Sequence, residues 1–317
     1  AIVFTEYRDT ADRLREALRL AQLAVLLFEL VLRALERRGH LVEGGGEIVH
    51  LDASFRAILE RRAYPEPVRA VLGEFMAAAA LLAATLKFDG RLILQIQGGG
   101  PLTLLVVECT SDHTLRAVAH WDGAVFEPSL DRLVGDGRLV ITVEPRKGEE
   151  RYQGIVNLEG AAVAQAVERY YAQSEQVETR VWLACDDTRA AGLLLQRLPG
   201  ESEDADLWPR AVELTATLTH SELLTLPPAE VLRRLYHEED IRLFTPAVLS
   251  FRCSCTRERV EAVLHMLGRE DIHNLLAEQG SVSVDCEFCG KHYAFDAVDV
   301  EQVFVASPVS SAPAQKH

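Results

Sequence analysis

Four of the six cysteines fall in the last quarter of the chain, as Cys253-x-Cys255, thirty intervening residues, then Cys286-x-x-Cys289. This pattern limits the fold more than any other feature. Two cysteine pairs brought together supply the four tetrahedral ligands of a closed zinc site, with Zn–S near about 2.3 Å. A Cys-x-x-Cys turn closed by Gly290 is a common zinc knuckle. Paired spacing of this kind reads as metal binding in a reducing compartment rather than as a disulfide framework. The reading is one Zn(II) per chain on Cys253, Cys255, Cys286 and Cys289. Cys109 and Cys185 stand alone, each after an apolar run, and read as structural cysteines in or near strands.

The metal would dominate the stability of its surroundings. Residues 251–306 predict a helix from Thr256 to Leu267 stopped by Gly268 and a second from Glu270 to Gln279 closed by Gly280. Two short strands, Val282 to Asp285 and His292 to Asp296, flank the Cys286–Cys289 turn. So small a core needs its metal, and structural zinc contributes roughly 10–16 kcal/mol in small modules. A disulfide closing three or four residues contributes only roughly 1.5–2 kcal/mol on the loop-entropy estimate. Oxidation within each pair would therefore unfold the module, which is a redox switch in outline. Most four-cysteine zinc sites are nevertheless plain staples.

The 317 residues allow two or three domains, and their net charge of −15 opposes binding to phosphate backbones and anionic lipid. The apolar run Phe75 to Leu86 is too short to span a bilayer and predicts a buried helix. Ala1 to Thr10, with Glu6 and Asp9, has no secretory-leader pattern.

The organisation expected is an α+β core, a helical linker and a small zinc module. Residues 1–45 form an atypical N-terminal extension. Ile2–Val3–Phe4 suits a short strand, and helices run from Asp9 or Thr10 to about Ala24 and on to Gly39. Ile2 to Leu18 resembles a strand and helix of helicase-like ATPases, but the chain has no GxxxxGK[ST] loop. Residues 46–198 are the core. Helices are expected at Phe55–Arg61, Pro67–Leu86 and Ala161–Ala172. Strands are expected at Leu92–Ile96, Leu102–Val107, Leu115–Trp121, Leu139–Val143, Ile155–Leu158 and Val181–Ala184. Runs of strands with segregated helices predict α+β rather than alternating α/β. Residues 199–250 are an acidic, amphipathic linker with apolar positions Leu214, Leu218, Leu223, Leu224, Val231, Leu232, Leu235 and Tyr236. Such a segment is helical only when packed. Residues 307–317 form a disordered tail.

Segments in every region then resemble one family. They are Tyr64-Pro-Glu-Pro67, the run Leu81 to Gly90, Gln95-Ile-Gln-Gly98, Arg151-Tyr-Gln-Gly154, Gln173-Ser-Glu-Gln176, Arg234-Leu-Tyr-His-Glu-Glu239, the run Phe251 to Arg259 and Cys286-Glu-Phe-Cys289. Over about residues 46–304 the chain resembles the bacterial redox-regulated heat-shock holdases, the heat-shock protein 33 family. Gly46-Glu47-Ile48-Val49 matches the end of that family's opening step, and residues 1–45 depart from it. The resemblance implies a cytoplasmic protein that is not an enzyme, inactive while Zn(II) sits on its four cysteines. It implies that oxidants join Cys253 with Cys255 and Cys286 with Cys289, releasing zinc and unfolding the module and linker. The oxidised homodimer then binds unfolding client proteins without ATP and passes them to ATP-dependent foldase chaperones. Leu223, Leu224, Leu232, Leu235 and Tyr236 are candidate client-binding residues, or else simply helix core.

Other readings have specific weaknesses. A constitutive zinc-stapled adaptor would share this sequence and differ only in redox response. A thiol–disulfide oxidoreductase wants its first cysteine at a helix N-terminus, whereas Cys286 sits in a turn between strands. A zinc ribbon for nucleic acid would use Arg252, Arg257 and Arg259, but acidic residues surround them. His50 with Asp52, and His237 with Glu238, Glu239 and Asp240, read as solvated helix faces or caps.

Overall fold

The computed structural model describes residues 2–8 as a backbone trace, and residues 44–125, 129–146, 150–158, 162–198 and 204–305. Two units divide at Arg252/Cys253. The first opens with β1 (Ile2–Arg8), β2 (Gly44–Leu51), α1 (Ala53–Leu59) and α2 (Glu66–Thr85). Strands β3 (Gly90–Gln97), β4 (Leu102–Thr110) and β5 (Thr114–Trp121) follow, then α3 (Leu130–Val134), β6 (Arg138–Pro145) and β7 (Tyr152–Asn157). Next come α4 (Val163–Tyr170), β8 (Thr179–Cys185) and β9 (Ala190–Arg197). The unit closes with α5 (Leu207–Ala216), α6 (His220–Thr225), α7 (Pro228–Leu235), β10 (Ile241–Leu243), β11 (Ala247–Val248) and β12 (Ser250–Phe251).

The strands form two sheets. One runs β10-β1-β2-β9-β8, with β11 also on β1; the other runs β12-β5-β4-β3-β6-β7. In the first, β1 lies parallel to both β2 and β10, while β2/β9 and β9/β8 are antiparallel. The second is antiparallel except for the short β12/β5 pairing. Alternation of burial along β3 gives it an inner and an outer face.

Helix α2 touches strands of both sheets. A helix that is apolar nearly all round must be buried all round. Here Val68, Leu72, Phe75, Met76, the run Ala77–Ala80, Leu81 and Leu82 are sealed from solvent. The four alanines present little bulk to the flanking strands. By length and composition α2 is capable of crossing a bilayer, but it is the core helix between the sheets. It is longer than the apolar run that announced it.

Helices α5–α7 cover the first sheet's other face. Leu207, Ala211, Leu223, Val231, Leu232, Leu235 and Tyr236 form one buried cluster with Ile48, Ala184, Ala191, Leu193 and Leu195. The segment holds three helices, and the Pro227–Pro228 step opens the third: Pro227 is the N-cap of α7 and Pro228 its first residue.

The second unit contains α8 (Arg257–Leu267), α9 (Arg269–Gln279), the hairpin β13 (Val282–Asp285) with β14 (His292–Phe295), and α10 (Ala297–Val305). Its core is small: Val260, Leu264, Ile272, Val282, Tyr293, Phe295 and Val300.

Ile2–Val3–Phe4 lies within the longer strand β1. The helices expected between Asp9 and Gly39, the acidic residues Glu201 and Glu203, and the tail after residue 306 lie outside the described residues. His50 sits in strand β2, not on a helix face, and Asp52 occupies the N-cap position of α1.

Candidate metal centre

The first cysteine pair precedes α8. Residues 252–256 are neither helix nor strand, and i, i+2 spacing in such a segment lets two side chains point the same way. Arg259 Nη1 donates to the Ser254 carbonyl (2.8 Å) and Oγ (2.7 Å), fixing the residue between the cysteines. Thr256 caps α8 by accepting from the Arg259 N–H at 3.3 Å.

The second pair sits on the β13–β14 turn. The Cys286 N–H donates to the Lys291 carbonyl (2.9 Å), and the N–H groups of Cys289 and Gly290 donate to the Cys286 carbonyl (3.2 and 2.7 Å). Gly290 closes the turn at φ +68°, a conformation that glycine adopts without Cβ strain. His292 lies on the exposed side of β14 and pairs through Nδ1 with Asp285 Oδ1 at 2.7 Å.

The fold brings all four sulfurs together, each within 4.8 Å of the others. Cys253 Sγ is 3.6 Å from Cys286 Sγ, and Cys255 Sγ is 3.3 Å from Cys289 Sγ. A regular tetrahedron with Zn–S of about 2.3 Å has edges of about 3.8 Å. The donor set and spacing therefore fit a tetrahedral thiophilic ion such as Zn(II), and no backbone movement is needed to assemble it.

The electrostatics without a metal are unfavourable. Burial, with the neighbouring sulfurs, pushes the Cys289 thiol up to about 12. At Cys255 burial acts in the same direction, but hydrogen bonds from the Tyr293 hydroxyl and neighbouring thiols outweigh it and bring the group to about 7. Four thiols this close do not ionise together unless a cation offsets their mutual repulsion.

Sequence reasoning missed the packing that braces the site. Arg257 stacks over Phe295 at 4.3 Å, donates to the Ala294 carbonyl at 3.1 Å, and pairs with Glu261 (3.2 Å) and Asp299 (2.9 Å). It ties α8 to β14 and α10. The charges of Arg257 and Arg259 are thus engaged within the unit. Tyr293, nearly buried, sends its hydroxyl to Cys255 Sγ at 3.3 Å. Its place in a strand with alternating burial was legible; the sulfur it meets was not.

The candidate client-binding residues lie in the other unit. Leu223, Leu232, Leu235 and Tyr236 are buried against the first sheet, and Leu224 is partly buried beside them. Cys109 is buried in β4. Cys185 ends β8, packed near the backbone of α2.

Comparison with known proteins places this geometry in context. The family model for Hsp33 protein matches residues 40–296. The 33 kDa chaperonin of Nitrosococcus oceani is 49% identical over 269 residues, spanning 84% of this chain and 93% of its own. That of Methylobacillus flagellatus is 47% identical over 275 residues, spanning 86% and 94%. The crystal structure of a 33 kDa chaperonin, a heat shock protein 33 homologue, from Thermotoga maritima superposes with a TM-score of 0.73 at 22% identity. It covers 83% of this chain and 94% of that one, which shows a shared fold.

Proposed function

This chain belongs to the Hsp33 family and is a chaperone, and we propose that it is an ATP-independent holdase for unfolding proteins that oxidation turns on. The observation that carries the reading is the four-sulfur cluster in a unit with so small a core. In the reduced state Cys253, Cys255, Cys286 and Cys289 hold one Zn(II), which supplies the unit with cross-links its apolar core lacks.

Under peroxide, a thiolate sulfur attacks the peroxide oxygen and becomes a sulfenic acid, releasing hydroxide. Its partner's sulfur then attacks that sulfur and displaces a second hydroxide. Two peroxides and four protons convert the four thiolates into two disulfides and four waters, and zinc leaves as the free dication. Pairing within each motif, Cys253 with Cys255 and Cys286 with Cys289, closes only small loops and returns little stability. The unit then unfolds.

The organisation proposed is a core at 46–198, a linker at 199–250 and a switch module at 251–306. The linker runs directly into the first cysteine. Its release would uncover Leu223, Leu224, Leu232, Leu235 and Tyr236 for clients, on an oxidised homodimer in the cytoplasm that hands them to ATP-dependent foldases. Nothing in this cycle requires catalysis.

The test follows zinc and holdase action together. Reduced protein is exposed to peroxide at heat-shock temperature, and zinc is read with a chromogenic chelator. Suppression of a client's thermal aggregation is measured before and after. About one zinc released per chain, with activity appearing only on oxidation and reversed by reductant, is expected. Zinc retained throughout, or equal activity in both states, would leave a constitutive zinc-stapled adaptor.

A further inference from the structure

We propose that Tyr293 is a positioning residue of the switch: its hydroxyl sets how firmly the four sulfurs hold zinc and how readily Cys255 meets oxidant. The inference rests on the zinc reading above and goes beyond it to a residue outside the ligand set.

Three kinds of observation carry it. The Tyr293 hydroxyl lies 3.3 Å from Cys255 Sγ, within reach of an O–H···S hydrogen bond. The side chain is held in place: Tyr293 is only 5% exposed, sits in β14 opposite Val284, and belongs to the unit's core. Lys291 Nζ stands 4.9 Å from the ring centroid, where its charge draws electron density from the phenol and strengthens it as a donor. The contrast with the knuckle sulfurs sharpens the point. Around Cys286 and Cys289 the bracing hydrogen bonds come from backbone N–H groups, those of Cys289 and Gly290 donating to the Cys286 carbonyl. Those donors are part of the chain and cannot be tuned by substitution. At Cys255 the donor is a side chain, so evolution or mutation can remove it without touching the backbone.

The physical consequence has a definite sign. A hydrogen bond to a metal-bound thiolate spreads its negative charge onto the donor. This lowers repulsion among four anionic sulfurs and fixes the ligand's direction, and removing such a partner typically weakens metal binding about 10–100-fold. The same bond makes the sulfur a poorer nucleophile, and thiolate nucleophilicity governs attack on oxidants. Tyr293 therefore holds the threshold of the switch high: it keeps zinc in and slows the first sulfur–oxygen bond at Cys255.

The experiment compares the full-length wild type with Tyr293→Phe, both purified reduced. Zinc content, affinity in competition with a chromogenic chelator, the rate of zinc release by hydrogen peroxide and the charge-transfer band of the Co(II)-substituted protein are measured. Both proteins are expected to carry one zinc. The variant should bind it about tenfold more weakly, release it several-fold faster, and show its sulfur-to-cobalt band at longer wavelength. A purely structural tyrosine would leave that band unmoved. Equal affinity within twofold and an unshifted band would overturn the proposal. Should Tyr293→Phe lose the metal altogether, Lys291→Met decides. It keeps the phenol and the backbone donor, so a smaller shift of the same sign supports the proposal and no shift overturns it. Wild type that carries zinc but retains it under peroxide sinks the redox reading alone, and affinity and band still judge Tyr293. Wild type without zinc sinks both.

Discussion

Outside the C-terminal unit, the informative residues are the two solitary cysteines. Burial pushes both thiols up to about 12, with the carboxylate of Glu74 adding to the effect at Cys185. At neutral pH they stay protonated and are poor nucleophiles, so neither is a candidate for the proposed redox chemistry. Cys185 has a packing role instead. Its sulfur occupies the space beside Gly73 on α2, and a Cβ built there would collide with Cys185 Sγ and approach Phe55 to 3.1 Å. Helix propensity alone favours Gly73→Ala by about 0.8–1 kcal/mol. Overpacking opposes it by about 1–3 kcal/mol, so the collision should win. Urea unfolding of the first unit should show net destabilisation. In a Cys185→Ala background the penalty should fall below about 1 kcal/mol, because the obstructing sulfur is gone. Additive effects would mean that Cys185 is not what excludes a side chain at position 73.

At the scale of elements, the segment proposed as a linker is a set of helices too short to stand alone. α5, α6 and α7 have 10, 6 and 8 residues, below the roughly 12–15 at which isolated helices become marginal. Local devices help. Thr219 and Glu222 form a capping box at α6, with reciprocal bonds of 3.2 and 3.1 Å. Arg210 joins Asp204 (2.8 Å) to Glu239 (2.6 Å), and Arg234 joins Glu222 (3.0 Å) to Glu230 (3.1 Å). These ion pairs are largely solvent-facing and contribute little each. The apolar face against the first sheet decides whether the linker stays down. Leu232→Ala should cost about 2–5 kcal/mol of that packing. Reduced, zinc-loaded Leu232→Ala is expected to bind more apolar dye than wild type and to suppress client aggregation without oxidant. Unchanged dye binding with full zinc content would show that the linker is held by something other than this face.

The same elements show what sequence patterning carries and where it stops. The strands expected from Leu92 to Val143 are present as β3–β6, each a little longer, because alternation and glycine turns mark half-buried antiparallel strands well. β9 was missed. Its run Ala190–Ala191–Gly192–Leu193–Leu194–Leu195 is buried on both faces, so it lacks the alternation that distinguishes a strand. β2 begins in three glycines and takes its identity from pairing with β9. α10 is rich in valine, whose local preference is for strand, and is helical because it packs on the small C-terminal core. At the site, the four-cysteine cluster was legible from spacing, while Tyr293 and Arg257 were not. Their roles depend on which atoms the hairpin and helix bring face to face.

At the scale of the whole molecule, the two units should differ in what keeps them folded. The first has a continuous core on α2 and both sheets, in which Phe55, Phe75, Tyr170 and Tyr171 are fully buried. Among its described residues the second has seven buried apolar ones, and leaves Val263, Met266, Leu267 and Val305 substantially exposed. Burial alone does not offset the conformational entropy of ordering such a unit, at roughly 1–2 kcal/mol per residue for the backbone. A bound metal contributing roughly 10–16 kcal/mol changes that balance. Chelating zinc from the reduced protein should therefore remove amide hydrogen-exchange protection from α8, α9, α10 and the β13–β14 hairpin, while β2–β9 and α2 keep theirs. Zinc added back, without any oxidant or reductant, should restore it. Protection that survives chelation in residues 257–305 would mean that the small core is sufficient by itself. Zinc release would then not be the event that unfolds the unit, and oxidation would have to act through the disulfides themselves.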